Sequence, residues 1–309
     1  MTISVFIDGA AGTTGLEIGD RLAARRDLAL IGLDDTQRKD TEARRQALND
    51  ADFVILCLPD DAAREAVALI DNDRTRVIDA STAFRTADGW TYGFPELEPG
   101  QANAIATAAR VSNPGCYPTG FLALVRPLIR AGLIPADWVL SVNAVSGYSG
   151  GGKAMIAEFE GGGETTAFRA YAMALAHKHV PEMQKHARLA HPPLFLPAVA
   201  NRYRGMVVEV ALPLHAFLRR PSLAACEALL RDVYRDSPII RVAEGDAALV
   251  RIEDDAETDR LTIRISGNSD LGQARLTATL DNLGKGAAGA AVQSLNIMAG
   301  IEPTTGLNL

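Results

Sequence analysis

Short apolar runs punctuate the first half of the chain and alternate with segments whose apolar residues recur every three to four positions. Ile3-Ser4-Val5-Phe6-Ile7-Asp8 reads as a short buried strand, followed by a Gly-containing loop and a helix from about Leu16 to Arg25, with Leu16, Ile18, Leu22 and Ala23 on one side. Residues 28–33 (LALIGL), 52–58 (DFVILCL, stopped by Pro59) and 76–80 (RVIDA) predict three more strands, with a helix over Asp61 to Ile70. Strands alternating with helices predict a parallel, doubly wound α/β sheet. After about residue 135 the pattern changes. Trp138 to Val145, Gly205 to Pro213, Ala247 to Glu253, Leu261 to Ser266 and Arg275 to Asp281 are β-rich with fewer helices between them, which predicts a second, α+β domain. Gly284 to Ala299 is Ala/Gly-rich and helical, and is expected to return to the first domain. The expected division is 1–115 plus about 284–309 for the first domain and 116–283 for the second.

Length agrees with two domains, since 309 residues exceed one small core. Hydrophobic residues make up 48% and charged residues 22%, which places the chain among ordinary globular proteins and against disorder. A net charge of −7 argues against a nucleic-acid footprint, which needs a basic patch or stripe. Small anions remain compatible, because a few local donors suffice. No apolar run approaches the ~18 residues of a membrane span. The N-terminal residues lack the basic region and cleavage pattern of a secretory signal. Three cysteines, Cys57, Cys116 and Cys226, have no paired spacing, so neither disulfides nor a metal site is expected; reduced thiols point to the cytoplasm.

Two loops carry the chemistry. Gly9-x-x-Gly12-Thr13-Thr14-Gly15 follows a strand and opens a helix, the context in which glycines let a backbone approach a pyrophosphate at a helix N-terminus. The spacing departs from G-x-G-x-x-G, and a plain tight turn is the alternative. Asp34 and Asp35 after the second strand would suit NAD, whereas Arg38 and Lys39 would suit the 2′-phosphate of NADP; the reading leans to NADP through Arg38. The second loop is Ser112-Asn113-Pro114-Gly115-Cys116-Tyr117-Pro118-Thr119-Gly120. A thiol there sits near a helix start, where the dipole favours the reactive thiolate, while Cys57 and Cys226 fall in strand-like and helix-like segments and read as packing residues. His177-Lys178-His179-Val180-Pro181-Glu182 offers a proton partner. In an extended segment the two rings would point to opposite sides, so only one is expected to face the thiol. Ser81-Thr82-Ala83-Phe84-Arg85 and Ser146-Gly147-Tyr148-Ser149-Gly150-Gly151-Gly152-Lys153 offer donors to an anion; the latter lacks a full phosphate-loop pattern.

Together with Asp281-Asn282-Leu283-Gly284-Lys285-Gly286, these segments resemble the N-acetyl-gamma-glutamyl-phosphate reductases, specifically their short (type 2) branch, over nearly the whole chain. The resemblance implies an NADP-dependent reduction of an acyl phosphate in arginine biosynthesis, with Cys116 as nucleophile and His177 or His179 as acid/base. It implies substrate contacts from Arg85, Asn113, Ser146, Gly147 and Glu182. Cofactor contacts are expected from Gly9, Gly12, Thr13, Thr14, Gly15, Arg38 and Asn282. A homo-oligomer, dimer or tetramer, is expected. Ala83 stands where the longer branch has Asp. The competing readings are an aspartate-semialdehyde dehydrogenase and a nucleotide sensor without chemistry; the latter would lack the cysteine or histidine segment.

Overall fold

The computed structural model describes residues 2–163, 166–245 and 248–309. The chain forms two compact units, residues 1–95, 100–114 and 287–307 in the first and 96–99, 115–286 and 308–309 in the second.

In the first unit, β1 (Ile3–Asp8) leads through the glycine loop to α1 (Thr13–Ala23), then β2 (Leu28–Ile31), α2 (Thr41–Asp50), β3 (Phe53–Leu56), α3 (Asp60–Ala68), β4 (Arg76–Asp79), β5 (Thr91–Tyr92), α4 (Gln101–Thr107) and β6 (Arg110–Ser112). The sheet order is β2-β1-β3-β4-β6-β5, and every pairing is parallel. The doubly wound expectation therefore holds. Strand periodicity divides the core. Val5, Ile7, Phe53 and Ile55 pack with Ile18 and Leu22 of α1, whereas Phe6, Val54 and Leu56 face Leu48 of α2 and Ala63 and Ala66 of α3. Both faces are covered, which is why β3 is apolar at every position. Leu16, placed on the apolar stripe of α1 by its sequence, is instead half exposed; Gly15, Ile18 and Leu22 form the inward side.

The second unit contains α5 (Cys116–Arg130), β7 (Ser141–Gly147), α6 (Gly152–Glu160), β8 (Phe168–Ala170), α7 (Val180–Ala187), β9 (Leu194–Ala200), β10 (Met206–Leu212), α8 (Leu223–Val233), β11 (Ile240–Val242), β12 (Leu261–Asn268) and β13 (Gln273–Leu280). These strands make a seven-stranded mixed sheet ordered β11-β12-β13-β10-β7-β9-β8. One side faces helices: a Cβ on Gly120 of α5 would lie 2.8 Å from Val208 of β10. Phe195 of β9 meets Tyr117 of α5 edge to face at 5.0 Å, so its neighbours Leu194 and Leu196 point the other way and are exposed. Residues 248–253, expected as a strand, are irregular and turn-rich, and Ala247 lies outside the described residues. Apolar Leu249, Val250 and Ile252 mimic a strand locally, but these residues line a cavity of about 440 Å³ beside the sheet instead of pairing into it.

After β13 the chain makes one π-helical turn, Gly284–Ala288, then α9 (Gly289–Met298). The expected return holds: Ala291, Val292 and Leu295 join the first unit's core. Arg25 ties down the tail beyond, donating to the Asn296 side chain at 3.0 Å and the Thr305 carbonyl at 3.2 Å. Among the described residues no helix is long and apolar enough to cross a membrane.

Candidate active site

The glycine loop of the first unit is shaped by steric necessity. Gly9 has φ +89°, and a Cβ there would lie 2.3 Å from the Cys57 carbonyl oxygen, so only glycine fits against β3. Its carbonyl accepts from the Gly12 N–H at 2.9 Å, closing the turn that starts α1 at Thr13. Gly12 caps α1 without a side-chain hydrogen bond, and the first turn holds no acidic residue. Helix N–H groups and a positive dipole end are thus available to an anion. The Thr13 hydroxyl is buried without a partner among the described residues, a donor suited to a bound group. Beside it, Asp8, Gly9, Ala10, Gly32, Leu33 and Arg38 help line a cavity of about 190 Å³. These features fit a dinucleotide.

The acidic and basic candidates after β2 separate by what they hold. Asp34 accepts from the backbone N–H groups of Thr36 (2.9 Å) and Gln37 (2.8 Å), so its carboxylate is committed to a turn. Asp8, at the end of β1, is paired with Arg44 at 2.7 Å. Arg38 donates through Nε to the Leu33 carbonyl and through Nη1 to the exposed Asp35, both at 3.0 Å, which holds the guanidinium at the cavity lip.

Further along the strand ends, Arg85 is buried and commits Nε to the Asn113 carbonyl and Nη2 to the Ala80 carbonyl, each at 3.0 Å. These two bonds make it a strut between the ends of β4 and β6. Asn113 donates its Nδ2 to the Ala287 carbonyl at 2.9 Å, while its Oδ1 is buried without a partner among the described residues. Asp79, fully buried, accepts from the Ser81 hydroxyl at 2.7 Å, and burial raises its carboxyl to about 6.

In the second unit Cys116 is the first residue of α5, closer to the helix start than the sequence pattern indicated. Gly115 caps the helix without a side-chain bond, and the first turn carries no acidic residue. The helix dipole there stabilises a thiolate. Glu182, almost fully buried on α7, accepts the Gly115 N–H at 2.8 Å and so fixes the turn that presents the sulfur. Gly286 completes the fit: a Cβ there would lie 2.9 Å from the Cys116 Cβ and from the Asp281 carbonyl. The other thiols differ in kind. Burial, with Asp79 and Asp8 nearby, pushes Cys57 up to about 12, and burial takes Cys226 to about 11.

The two histidine rings do not diverge. His179, the N-cap of α7, has helical rather than extended backbone (φ −83°, ψ −12°), which turns both rings to one place, 4.7 Å apart. The expectation that the rings point to opposite sides assumed an extended segment and is corrected by that helical residue. Both meet the Tyr117 ring, at 6.1 Å from His177 and 5.9 Å from His179. His177 is half-buried, and burial with the Lys178 charge lowers its imidazole to about 4. Tyr171, which no motif marked, puts its hydroxyl 3.5 Å from His177 Nε2. Charge on Cys116 is among the causes that raise both Tyr117 and Tyr171, after the larger effect of burial; Tyr171 reaches about 12.

Other expected site residues are internal supports. The Asn282 side chain donates to Ser149 at 2.9 Å and accepts from the Gly205 N–H at 3.0 Å, stapling the loop after β7. Buried Ser146 donates to the Gly147 carbonyl at 3.0 Å, and Gly147 lies under the backbone of residues 202–204.

Residues 4–105 match the semialdehyde dehydrogenase NAD binding domain, and residues 116–282 the semialdehyde dehydrogenase dimerisation domain. The chain is similar to N-acetyl-gamma-glutamyl-phosphate reductase 2 of Nostoc sp., at 47% identity covering 98% of each chain. It is also similar to the N-acetyl-gamma-glutamyl-phosphate reductase of Chelativorans sp., at 49% identity covering 96% of this chain and 98% of that one. Among solved structures it resembles aspartate semialdehyde dehydrogenase II of Vibrio cholerae (TM-score 0.71, 18% identity, 97% and 98% of the two chains). The Candida albicans aspartate semialdehyde dehydrogenase with NADP gives a TM-score of 0.68 at 14% identity, over 97% and 99%. At these identities the structures speak for the fold. With a cysteine on a helix N-terminus, paired histidines against the adjacent Tyr117 and near-full-length identity approaching one half, this chain belongs to the N-acetyl-gamma-glutamyl-phosphate reductase family.

Proposed function

We propose that the protein is an NADP-dependent, phosphorylating-type aldehyde dehydrogenase working in the reductive direction. It converts N-acetyl-glutamyl 5-phosphate to N-acetyl-glutamate 5-semialdehyde and phosphate in arginine biosynthesis, in the cytoplasm. The observation that carries this reading is Cys116 at the uncapped start of α5, with Glu182 fixing its turn. The Cys116 sulfur attacks the acyl carbon, and the resulting tetrahedral oxyanion collapses, breaking the acyl C–O bond and expelling phosphate, to leave a thioester. When bound, NADPH would supply a hydride to the thioester carbonyl carbon, giving a thiohemiacetal oxyanion on Cys116. The thiohemiacetal oxyanion then collapses, releasing the aldehyde and returning the thiolate. A histidine of the 177–179 pair moves the proton that balances these steps. Backbone N–H groups at the α5 N-terminus are suited to hold the oxyanion.

The uncapped α1 N-terminus and buried Thr13 hydroxyl support pyrophosphate binding, and Arg38 at the cavity lip supports the 2′-phosphate of NADP. The commitment of Asp34 to its turn weighs against NAD. The support that Arg85 gives the Asn113 carbonyl and Glu182 gives the Gly115 N–H favours roles for both in holding backbone near the substrate. The open sheet face bearing Leu194 and Leu196, in a unit that matches a dimerisation domain, supports a homodimer. An assay offering N-acetyl-glutamyl phosphate and aspartyl phosphate with NADPH tests the reading. Turnover of the acetylated substrate alone is expected, and preference for aspartyl phosphate would overturn it.

A further inference from the structure

The turn from β8 to α7 is held in an unusual backbone. Ala172 and Leu175 have φ of +52° and +58°, a region that residues with side chains rarely occupy. Hydrogen bonds from Tyr171 N–H to the Pro197 carbonyl (3.1 Å) and Leu175 N–H to the Ala172 carbonyl (2.9 Å) hold it there. This backbone aims Tyr171 and His177 at each other, with ring centroids 5.7 Å apart. Strain maintained by surrounding bonds concentrates where geometry serves function.

A hydrogen-bonded chain runs through these side chains, and its two ends are fixed. At one end the His179 backbone N–H, which can only donate, meets His177 Nδ1 at 3.1 Å. At the other the Ala198 carbonyl, which can only accept, meets the Tyr117 hydroxyl at 3.1 Å. Between them the Tyr171 hydroxyl lies 3.3 Å from the Tyr117 hydroxyl and 3.5 Å from His177 Nε2. One proton arrangement satisfies every member. Nδ1 accepts, Nε2–H donates to Tyr171, Tyr171 donates to Tyr117, and Tyr117 donates to Ala198. A reversed chain would set an Nδ1 proton against a backbone N–H. Phe195, 5.1 Å from the His177 ring at 83°, and Tyr117 wall the imidazole against a flip.

We infer that Tyr171 is a positioning residue that fixes His177 as an N–H donor, leaving proton exchange in the reaction to His179. With Nδ1 occupied and Nε2 already protonated, His177 offers no lone pair to take the sulfur's proton. Burial also holds its conjugate acid near 4, so the ring is neutral at working pH. The inference rests on the reaction proposed above but concerns a proton arrangement that exists without substrate.

The test labels the five histidines with ¹⁵N in the full-length protein and records long-range ¹H–¹⁵N spectra, with His177→Gln assigning the resonance by its loss. An unprotonated Nδ1 and a protonated Nε2 are expected, together with faster solvent exchange of the Nε2 proton in Tyr171→Phe. Steady-state kinetics accompany the spectra. Tyr171→Phe and His177→Gln, which each remove one hydrogen-bond arrangement but no proton carrier, are expected to lower kcat about tenfold with KM unchanged. His179→Gln should lower kcat by about 10²–10⁴. A protonated Nδ1, a Tyr171→Phe kcat equal to the parent's, or a His177→Gln loss as deep as that of His179→Gln would overturn the inference. Should the unmodified protein fail to reduce the acetylated acyl phosphate, the functional reading fails, and the spectrum alone still decides the tautomer.

Discussion

The three thiols differ by environment rather than by chemistry, and that difference predicts selective reactivity. Cys57 and Cys226 are held mostly protonated by burial, whereas Cys116 lies on an uncapped helix N-terminus. A limiting dose of iodoacetamide on the native protein at pH 7.5 is expected to label the Cys116 peptide first, as read by peptide mass spectrometry; earlier labelling of Cys57 or Cys226 would contradict the assignment. His177 gives a pH signature in stability. Its folded value, about 4, lies below the ordinary 6.5, so between those values the unfolded chain binds a proton that the folded chain refuses. Stability is therefore lost as pH falls from 6.5 to 4, with no further loss from this group below 4. The Tm of the parent should drop more over that window than the Tm of His177→Gln. At this scale the sequence set Cys116 apart from the other thiols, because Pro and Gly crowd it alone, and the structure places it at the start of α5. It did not show Tyr171, which is brought to His177 by a turn with two left-handed residues that no local pattern encodes.

At the scale of elements, the reactive turn is made by three segments distant in sequence. The start of α5 carries the sulfur, Glu182 of α7 accepts the Gly115 N–H, and the π-helical turn brings Gly286 against Cys116. Such π turns recur at functional sites. A methyl at 286 would force Cys116 or the Asp281 carbonyl aside. Gly286→Ala is expected to reduce kcat at least about tenfold, through displacement of the nucleophile, while leaving NADPH affinity intact. Unchanged kcat would show that the close approach is incidental. The four longer strands of the parallel sheet, β1 to β4, were legible because their runs are largely apolar, whereas β5 and β6, only two and three residues long, went unread. The second sheet was harder. Residues 248–253 have strand composition without a partner, and β8, β9 and β11 went unread because three-residue strands and an internal Pro197 give little periodicity.

For the whole molecule, the first unit matches an NAD binding domain and carries the glycine loop, while the second matches a dimerisation domain and carries Cys116 and the histidine pair. Cofactor choice is a property of the first unit. Replacing Arg38 with Ala should raise KM for NADPH about tenfold or more, as for loss of a charged hydrogen bond, and leave KM for NADH nearly unchanged. Equal effects on both cofactors would remove Arg38 from the 2′-phosphate. The alternation of strands and helices made this unit recognisable from sequence, whereas which of Asp34, Asp35 and Arg38 faces the cavity needed the turn geometry.

The central claim is that Cys116 accepts the acyl group. Mixing the protein with N-acetyl-glutamyl 5-phosphate and no NADPH tests it directly, by following phosphate release and the mass of the Cys116 peptide. A burst of about one phosphate per active site, with one N-acetyl-glutamyl group added at Cys116 and neither event in Cys116→Ser, is expected. Phosphate release that persists in Cys116→Ser, or an acyl group found on another residue, would contradict the account.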